Sequence, residues 1–405
     1  MNRLRAVFFF YAYFHVMRLW ILFFLLGGNL MVSAQKSRVD TVVTHALLER
    51  IATWQSSGND YFRAGLFPSY RRYAWNSHLE KPDENIFFTA LVLFTLQDVQ
   101  SVLPPHQQKM ILAMLEKAKP AFAFFRHRTG RPTFHFWSNN PKKVFPNSGW
   151  MNLMDQSHAL PDDMDDTVMG WLALNGSKDS AKQIHDVMQS FINGGYGKVK
   201  NTYPEYEQLP AYSTWFGKKM PVDFDISVMS NVLLFVERYN LAWTKSDSAT
   251  AFIVADAIQK KYHQTNPSFI SPHYNRAPVI LYHVARLLKN TKYAPLLALK
   301  DQVIDELASA YISSSLISDH AMLGTALHWL APSKRLIPRK LESDWLRNAE
   351  QENMVFFIAN MSSMLPAKYK TSLGYMGIGK FHYYSPPYQL ALLLENICTT
   401  AMLNE

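Results

Sequence analysis

Four aspartates stand within five positions, Asp162, Asp163, Asp165 and Asp166, between Pro161 and the apolar run that opens at Val168. Carboxylates this close repel one another, so at least one is expected to keep its proton where an isolated aspartate has lost it. A protonated carboxyl beside an apolar cavity is a Brønsted acid. Helix N-termini also favour aspartate, as a cap and as a counter-charge to the helix dipole. Capping accounts for one such residue per helix and leaves the others without a structural reason. Asp166 is the expected cap here, and Asp225 the expected cap of the next apolar run.

Further candidates lie in the connections that lead into apolar runs. Trp137, Trp150, Trp215 and Tyr384 offer aromatic faces for a ligand, and Asp223, Asp225, Tyr274 and His320 offer polar groups. His135, His273 and His382 read as hydrogen-bonded loop histidines, and His158 as a partner for a carboxylate. Cys398 is the one cysteine in 405 residues, which excludes an internal disulfide and any zinc site built from several thiolates. It sits among Leu and Ile and is expected to be a buried, inert thiol. No metal-ligand set and no cofactor is expected.

Six stretches rich in Ala, Leu and Val must position these groups: Asn85 to Val99, Asp166 to Leu174, Asp225 to Tyr239, Pro278 to Leu288, Asp319 to Leu330 and Pro387 to Ile397. Their apolar character on all sides predicts buried helices. Between them run amphipathic stretches, Val42 to Trp54, His106 to Phe125, Lys178 to Phe191, Ala249 to His263, Leu297 to Ile312 and Ser343 to Leu365. No segment alternates with period two for long enough to predict a sheet. The pattern predicts an all-α, (α/α)6 toroid of six inner and six outer helices, with the inner N-termini converging at one rim. Phe134-His135-Phe136-Trp137-Ser138 and Phe381-His382-Tyr383-Tyr384-Ser385 echo each other as connections into inner helices.

Asp163-Met164-Asp165-Asp166-Thr167 resembles the Asp-x-Asp-Asp-Thr motif of class II terpenoid cyclases of the squalene–hopene cyclase type, and Val168-Met169-Gly170 continues the likeness. Ser213-Thr214-Trp215-Phe216-Gly217 and the run from Val222 to Leu233 are similar to segments of squalene-cyclase-like toroids. Resemblance to the protein prenyltransferase β subunit extends to the fold only. The cyclase resemblance implies protonation of an isoprenoid or related apolar lipid, with Asp165 as general acid and Asp163 and Asp166 orienting it and holding its proton. The same aspartates also carry the Asp-Asp-x-x-Asp spacing (Asp162, Asp163, Asp166) of class I synthases, without the second metal motif.

Two other functions fit the same residues. Asp165 with Asp223 or Asp225 gives a carboxylate pair for an exported glycoside hydrolase or lyase, with the tryptophans as sugar platforms. A toroid that binds without catalysis needs only the caps. The net charge of +9 comes without a clustered Lys/Arg stripe, so no nucleic-acid partner is expected. Residues 1–34 read as a signal peptide, with an apolar run from Trp20 to Leu26 and Val32-Ser33-Ala34 before Gln35; Met17 is a candidate start, and an uncleaved membrane anchor is the alternative. A single toroid domain over 35–405 is therefore expected outside the cytoplasm, in a periplasm, with contact to a membrane surface among its expected partners.

Overall fold

The computed structural model describes residues 39–148, 160–217, 220–334, 336, 344–374, 377 and 379–402. Residues 1–34, expected as a signal peptide, and Trp150 and His158 lie outside the described residues. The apolar stretches become buried helices: α2 (Phe87–Val99), α4 (Met164–Ala173), α6 (Ile226–Arg238), α8 (Ala277–Asn290), α10 (Ile317–Leu330) and α13 (Pro386–Met402). They pack side by side in a closed order, α2 on α4, α4 on α6, α6 on α8, α8 on α10, α10 on α13 and α13 on α2. More polar helices lie against them, α1 (Thr41–Trp54), α3 (Pro105–Phe122), α7 (Lys245–Gln259) and α9 (Lys300–Ser313), and α5 (Lys178–Met188) meets α7 through His185 and Asp247. Among the described residues no helix is long and apolar enough to cross a membrane.

The all-α expectation is wrong. Helix accounts for 56% of the described residues, and a four-stranded antiparallel sheet makes the fold mixed; a toroid is not shown. The strands are β1 (Tyr70–Tyr73), β2 (Asn76–Pro82), β3 (Phe357–Asn360) and β4 (Lys380–Tyr384), in the order β2-β1-β4-β3. β1 pairs with β4 through Tyr70 opposite Tyr384 and Arg71 opposite Tyr383, and β4 pairs with β3 through Tyr383 opposite Phe357. Strands β1, β3 and β4 are only four or five residues long, and β1 and β4 do not alternate. Four of the five residues of β4 are buried, and Arg71, a charged residue in β1, points inward. The stretch from Ser343 to Leu365, expected as one helix, splits into a short α11 (Trp345–Gln351) and strand β3, parted at Asn353 with φ of +51°. The last short helix, α12 (Ala367–Gly374), precedes β4. The sequence echo also dissolves: residues 381–384 are strand, whereas 134–137 form isolated bridges to Asp162 and Asn85.

The start of α4 is fixed from two sides. Asp163 N–H donates to Phe134 C=O at 3.2 Å, Met164 N–H donates to Thr214 C=O at 2.9 Å, and Phe216 N–H donates to Asp162 C=O at 3.0 Å. Thr167 Oγ1 donates to Asp163 C=O at 2.7 Å and accepts from Phe134 N–H at 3.0 Å. Gly170 lets α4 approach this segment, since a β-carbon there would stand 2.9 Å from the Phe134 ring.

Candidate active site

The aspartate run divides into four different roles. Asp162 is held by Arg131, which donates through Nε at 3.0 Å and through Nη2, and by Thr133 Oγ1. Asp163 is the N-cap of α4 and accepts from Asp166 N–H at 2.8 Å. The cap therefore stands at Asp163, three residues before the Asp166 that was expected, because the helix already begins at Met164. Asp166 is buried in the first turn, and neither of its carboxyl oxygens receives a hydrogen-bond donor. Burial first, then the charge of Asp163, a hydrogen bond with Asp163 and the charge of Asp165, raise it well above the ordinary aspartate range.

Asp165 is 5% exposed. Its Oδ1 accepts from Asn231 Nδ2 at 2.8 Å, and its Oδ2 accepts from the Tyr274 hydroxyl. Burial raises its pKa to about 7; the Tyr274 and Asn231 hydrogen bonds hold it down in part, and the Asp163 and Asp225 charges push it further up. Both donors are neutral, so neither outweighs desolvation. The Asn231 amide is oriented by Arg286, whose Nη2 donates to Asn231 Oδ1 at 2.8 Å; an arginine can only donate, which leaves Nδ2 facing the carboxyl. Arg286 is 1% exposed, and its Nε and Nη1 have no acceptor. Its guanidinium lies over the rings of Tyr282 and Phe94, with centroids 5.2 and 5.3 Å away. A buried cation thus stands one amide away from the carboxyl that would become an anion on losing its proton.

Asp165 faces a small cavity of about 20 Å³, walled by Phe87 from α2, Phe136, Trp215, Val228 from α6, His273 and Phe357 from β3. That is room for about one water. The Phe357 ring lies 5.3 Å from Phe136 and 5.6 Å from both Phe87 and Tyr274, centroid to centroid. Trp215 Nε1 is buried without a partner.

Asp223 and Asp225 stand beside this cavity in structural roles. Asp225 caps α6, as expected, accepting from Ser227 N–H at 2.8 Å, from Ser271 Oγ at 2.6 Å and from His273 N–H at 2.8 Å. Asp223 accepts from His273 Nε2 at 3.3 Å, Asn201 Nδ2 at 2.9 Å and Ser363 Oγ at 3.1 Å, with Lys370 Nζ 3.9 Å away. Burial works to raise Asp223, but the His273 hydrogen bond and the Lys370 charge outweigh it and hold it below the ordinary value. Burial likewise works to lower His273, and Asp223 reverses this, so its pKa is raised. The other ring nitrogen of His273, Nδ1, donates to Ile358 C=O at 3.1 Å, and Ile358 N–H donates back to His273 C=O at 2.9 Å. The ion pair therefore fastens edge strand β3, and with it Phe357, to the cavity wall.

Compared with known protein-family models, characterised proteins and solved structures, the chain matches none. The site stands on its geometry.

Trp215, Asp163, Asp165, Asp166 and His273 meet at the cavity, and Tyr274, expected among substrate contacts, is instead a donor to Asp165. Three candidates lie elsewhere. Trp137 Nε1 donates to Asp83 Oδ1 at 3.0 Å beneath the sheet, where Asp83 pairs with Arg71. Tyr384 donates to Glu80 at 2.5 Å and stacks on Tyr70. His320 stacks on Tyr311 at 3.8 Å and lines a separate cavity of about 310 Å³. Orientation of Asp165 by Asp163 and Asp166 is also corrected, because the donors on Asp165 come from Asn231 and Tyr274. Asn231 and Arg286 escaped notice inside apolar runs, although Arg286 is the one Lys, Arg, Asp or Glu between Pro278 and Leu288. Cys398 is buried, and burial pushes its thiol up to about 12, as an inert thiol requires.

Proposed function

We propose that this protein is an acid catalyst for an unsaturated apolar lipid of the isoprenoid kind, with Asp165 as the proton donor. One observation carries the reading: a buried carboxyl with a pKa of about 7 faces a cavity walled by aromatic rings. In the reaction, the Asp165 proton forms a new C–H bond to one carbon of a double bond. The π electron pair is used in that bond, and the neighbouring carbon becomes a cation. The faces of Phe87, Phe136, Phe357 and Trp215 stabilise that cation, while Tyr274 and the Asn231–Arg286 pair stabilise the carboxylate left behind. The Asp165 carboxylate takes back a proton from carbon adjacent to the cation, whose C–H pair becomes the new π bond, giving an isomerised or cyclised product of unchanged composition and restoring the acid. At about 20 Å³ the cavity holds one water, so binding such a substrate requires its aromatic wall to open. A membrane surface is the natural source of a substrate this apolar.

Glycan cleavage is the poorer reading. It needs a second available carboxylate, and Asp223 and Asp225 are committed to an ion pair and a helix cap.

The test is incubation with polyprenyl hydrocarbons and, separately, polysaccharides in deuterated water, with products separated and read by mass spectrometry. A prenyl product carrying one deuterium, formed by the parent protein and absent with Asp165→Asn, supports the reading. Conversion that survives in Asp165→Asn, or conversion of polysaccharide alone, rejects it.

A further inference from the structure

A second polar cluster lies on the far side of Asp162. The segment 125–135 folds back on itself, with His127 N–H donating to Thr133 C=O at 3.0 Å and His135 N–H to Phe125 C=O at 2.8 Å. Residue 135 also bridges to Asp162. This brings His127, His135 and Asp162 together so that one side-chain ligand atom from each lies within 4.8 Å of the other two. The two imidazoles are nearly parallel, 13° apart, with centroids separated by 5.5 Å.

The decisive detail is His135. It is 8% exposed, its Nδ1 donates to Leu160 C=O at 3.2 Å, and its Nε2 is buried with no partner. A backbone carbonyl that fixes one ring nitrogen as N–H leaves the other as a lone pair, which is the usual arrangement of a metal-binding histidine. A buried lone pair without a donor is otherwise a cost with no return. His127 is half-buried; its Nδ1 accepts from Thr129 N–H at 3.3 Å and stands 2.8 Å from Thr129 Oγ1, so binding a metal costs His127 this contact or a change of tautomer. On Asp162, Oδ2 takes Arg131 and Thr133, while Oδ1 takes Arg131 alone and keeps a lone pair.

We propose that His127, His135 and Asp162 bind one divalent transition-metal ion, with zinc as the best-matched simple probe. Two imidazoles and one carboxylate are a borderline nitrogen and oxygen set, which suits zinc over calcium or magnesium. Three protein ligands leave a fourth position for water. Ligands on a tetrahedral ion stand ~3.4 Å apart for bonds of ~2.1 Å, so the site closes by ~1.4 Å on binding. The half-buried His127 supplies that movement by rotating its side chain. Arg131 stays on Asp162 and fixes the carboxylate plane. The ion joins the 125–135 segment to the residue that precedes the α4 cap, so it stiffens the backbone beneath Asp163 and Asp165.

The experiment is titration of the whole protein with Zn²⁺ alone by calorimetry and with Co²⁺ alone by visible absorption. Saturation at one equivalent is expected, with the affinity falling at least tenfold in both His127→Gln and His135→Gln, and unchanged in His382→Gln. Bound Co²⁺ should give the intense visible bands of a four-coordinate ion, and these should be lost in the same two variants. His127 is partly exposed, so its replacement keeps the fold and reads binding cleanly even if His135→Gln does not fold. Absence of saturable Zn²⁺ binding, or binding that His127→Gln leaves intact, overturns the proposal. Neither outcome bears on Asp165, whose assay is separate.

Discussion

Asp165 and Asp223 are both buried aspartates near the starts of neighbouring helices, α4 and α6, and their pKa values are shifted in opposite directions. Desolvation pushes each of them upward. Asp223 meets a histidine cation and a lysine, and is held below the ordinary value. Asp165 meets a phenol and an amide, and rises to about 7. Burial alone therefore does not make an acid; a carboxyl becomes one when its donors carry no charge. Arg286 reaches Asp165 only through Asn231, close enough to steady the conjugate base and too indirect to strip the proton beforehand.

The largest expected effect separates the two residues by activity. Asp165→Asn should lower turnover of a prenyl substrate by about 10²–10⁴-fold, the range of a lost general acid, while the protein still melts cooperatively. Asp223→Asn should do the reverse. It leaves His273 and Lys370 buried without their counter-charge, a loss of about 3–5 kcal/mol in urea unfolding, whereas Asp165→Asn should cost no more than about 1–2 kcal/mol. Equal destabilisation by the two substitutions would break the comparison.

The pH dependence of stability comes next. Folded Asp165 holds a proton that the unfolded chain releases near its ordinary value of 3.8. Its contribution is full below that value and is lost as pH rises through about 7. Asp223 has the opposite sign: its contribution is present above 3.8 and is lost as pH falls through its depressed folded value. His273, raised from 6.5, contributes below 6.5 and loses that contribution as pH rises through its folded value. Unfolding free energy measured against pH should thus decline toward neutral pH, and subtracting the Asp165→Asn curve should isolate a share on the order of a few kcal/mol. A zero difference across this interval would mean that Asp165 is ionised when folded. The smallest effect belongs to Tyr274→Phe. Removing that donor should raise the Asp165 pKa further, shift the basic limb of the rate profile upward by about one unit and weaken turnover by about tenfold.

Much of this arrangement was legible in the sequence. The six apolar runs declared buried helices, because an element without a polar face has nowhere to go but the interior. The aspartate run singled out Asp165, and Asp225 was readable as a cap from its place before Ile226. The sheet was not legible: β4 is buried on both faces and β1 turns an arginine inward to meet Asp83, so neither shows period-two alternation. Nor were the partners of Asp165, which lie 66 and 109 residues away in the chain and meet it only through packing. Phe357, which closes the cavity, was assigned to a helix, because the register that pairs it with Tyr383 depends on a strand invisible to local pattern.

The central claim is that Asp165 is a neutral acid where Asp223 is an anion. Carbon-13 labelling of aspartate carboxyls, followed by NMR across pH with Asp165→Asn and Asp223→Asn to assign the two signals, measures it directly. The Asp165 carboxyl should titrate at about pH 7, and the Asp223 carboxyl should remain ionised until the pH falls below 3.8. An Asp165 signal already in its carboxylate position just above pH 3.8 would contradict the account.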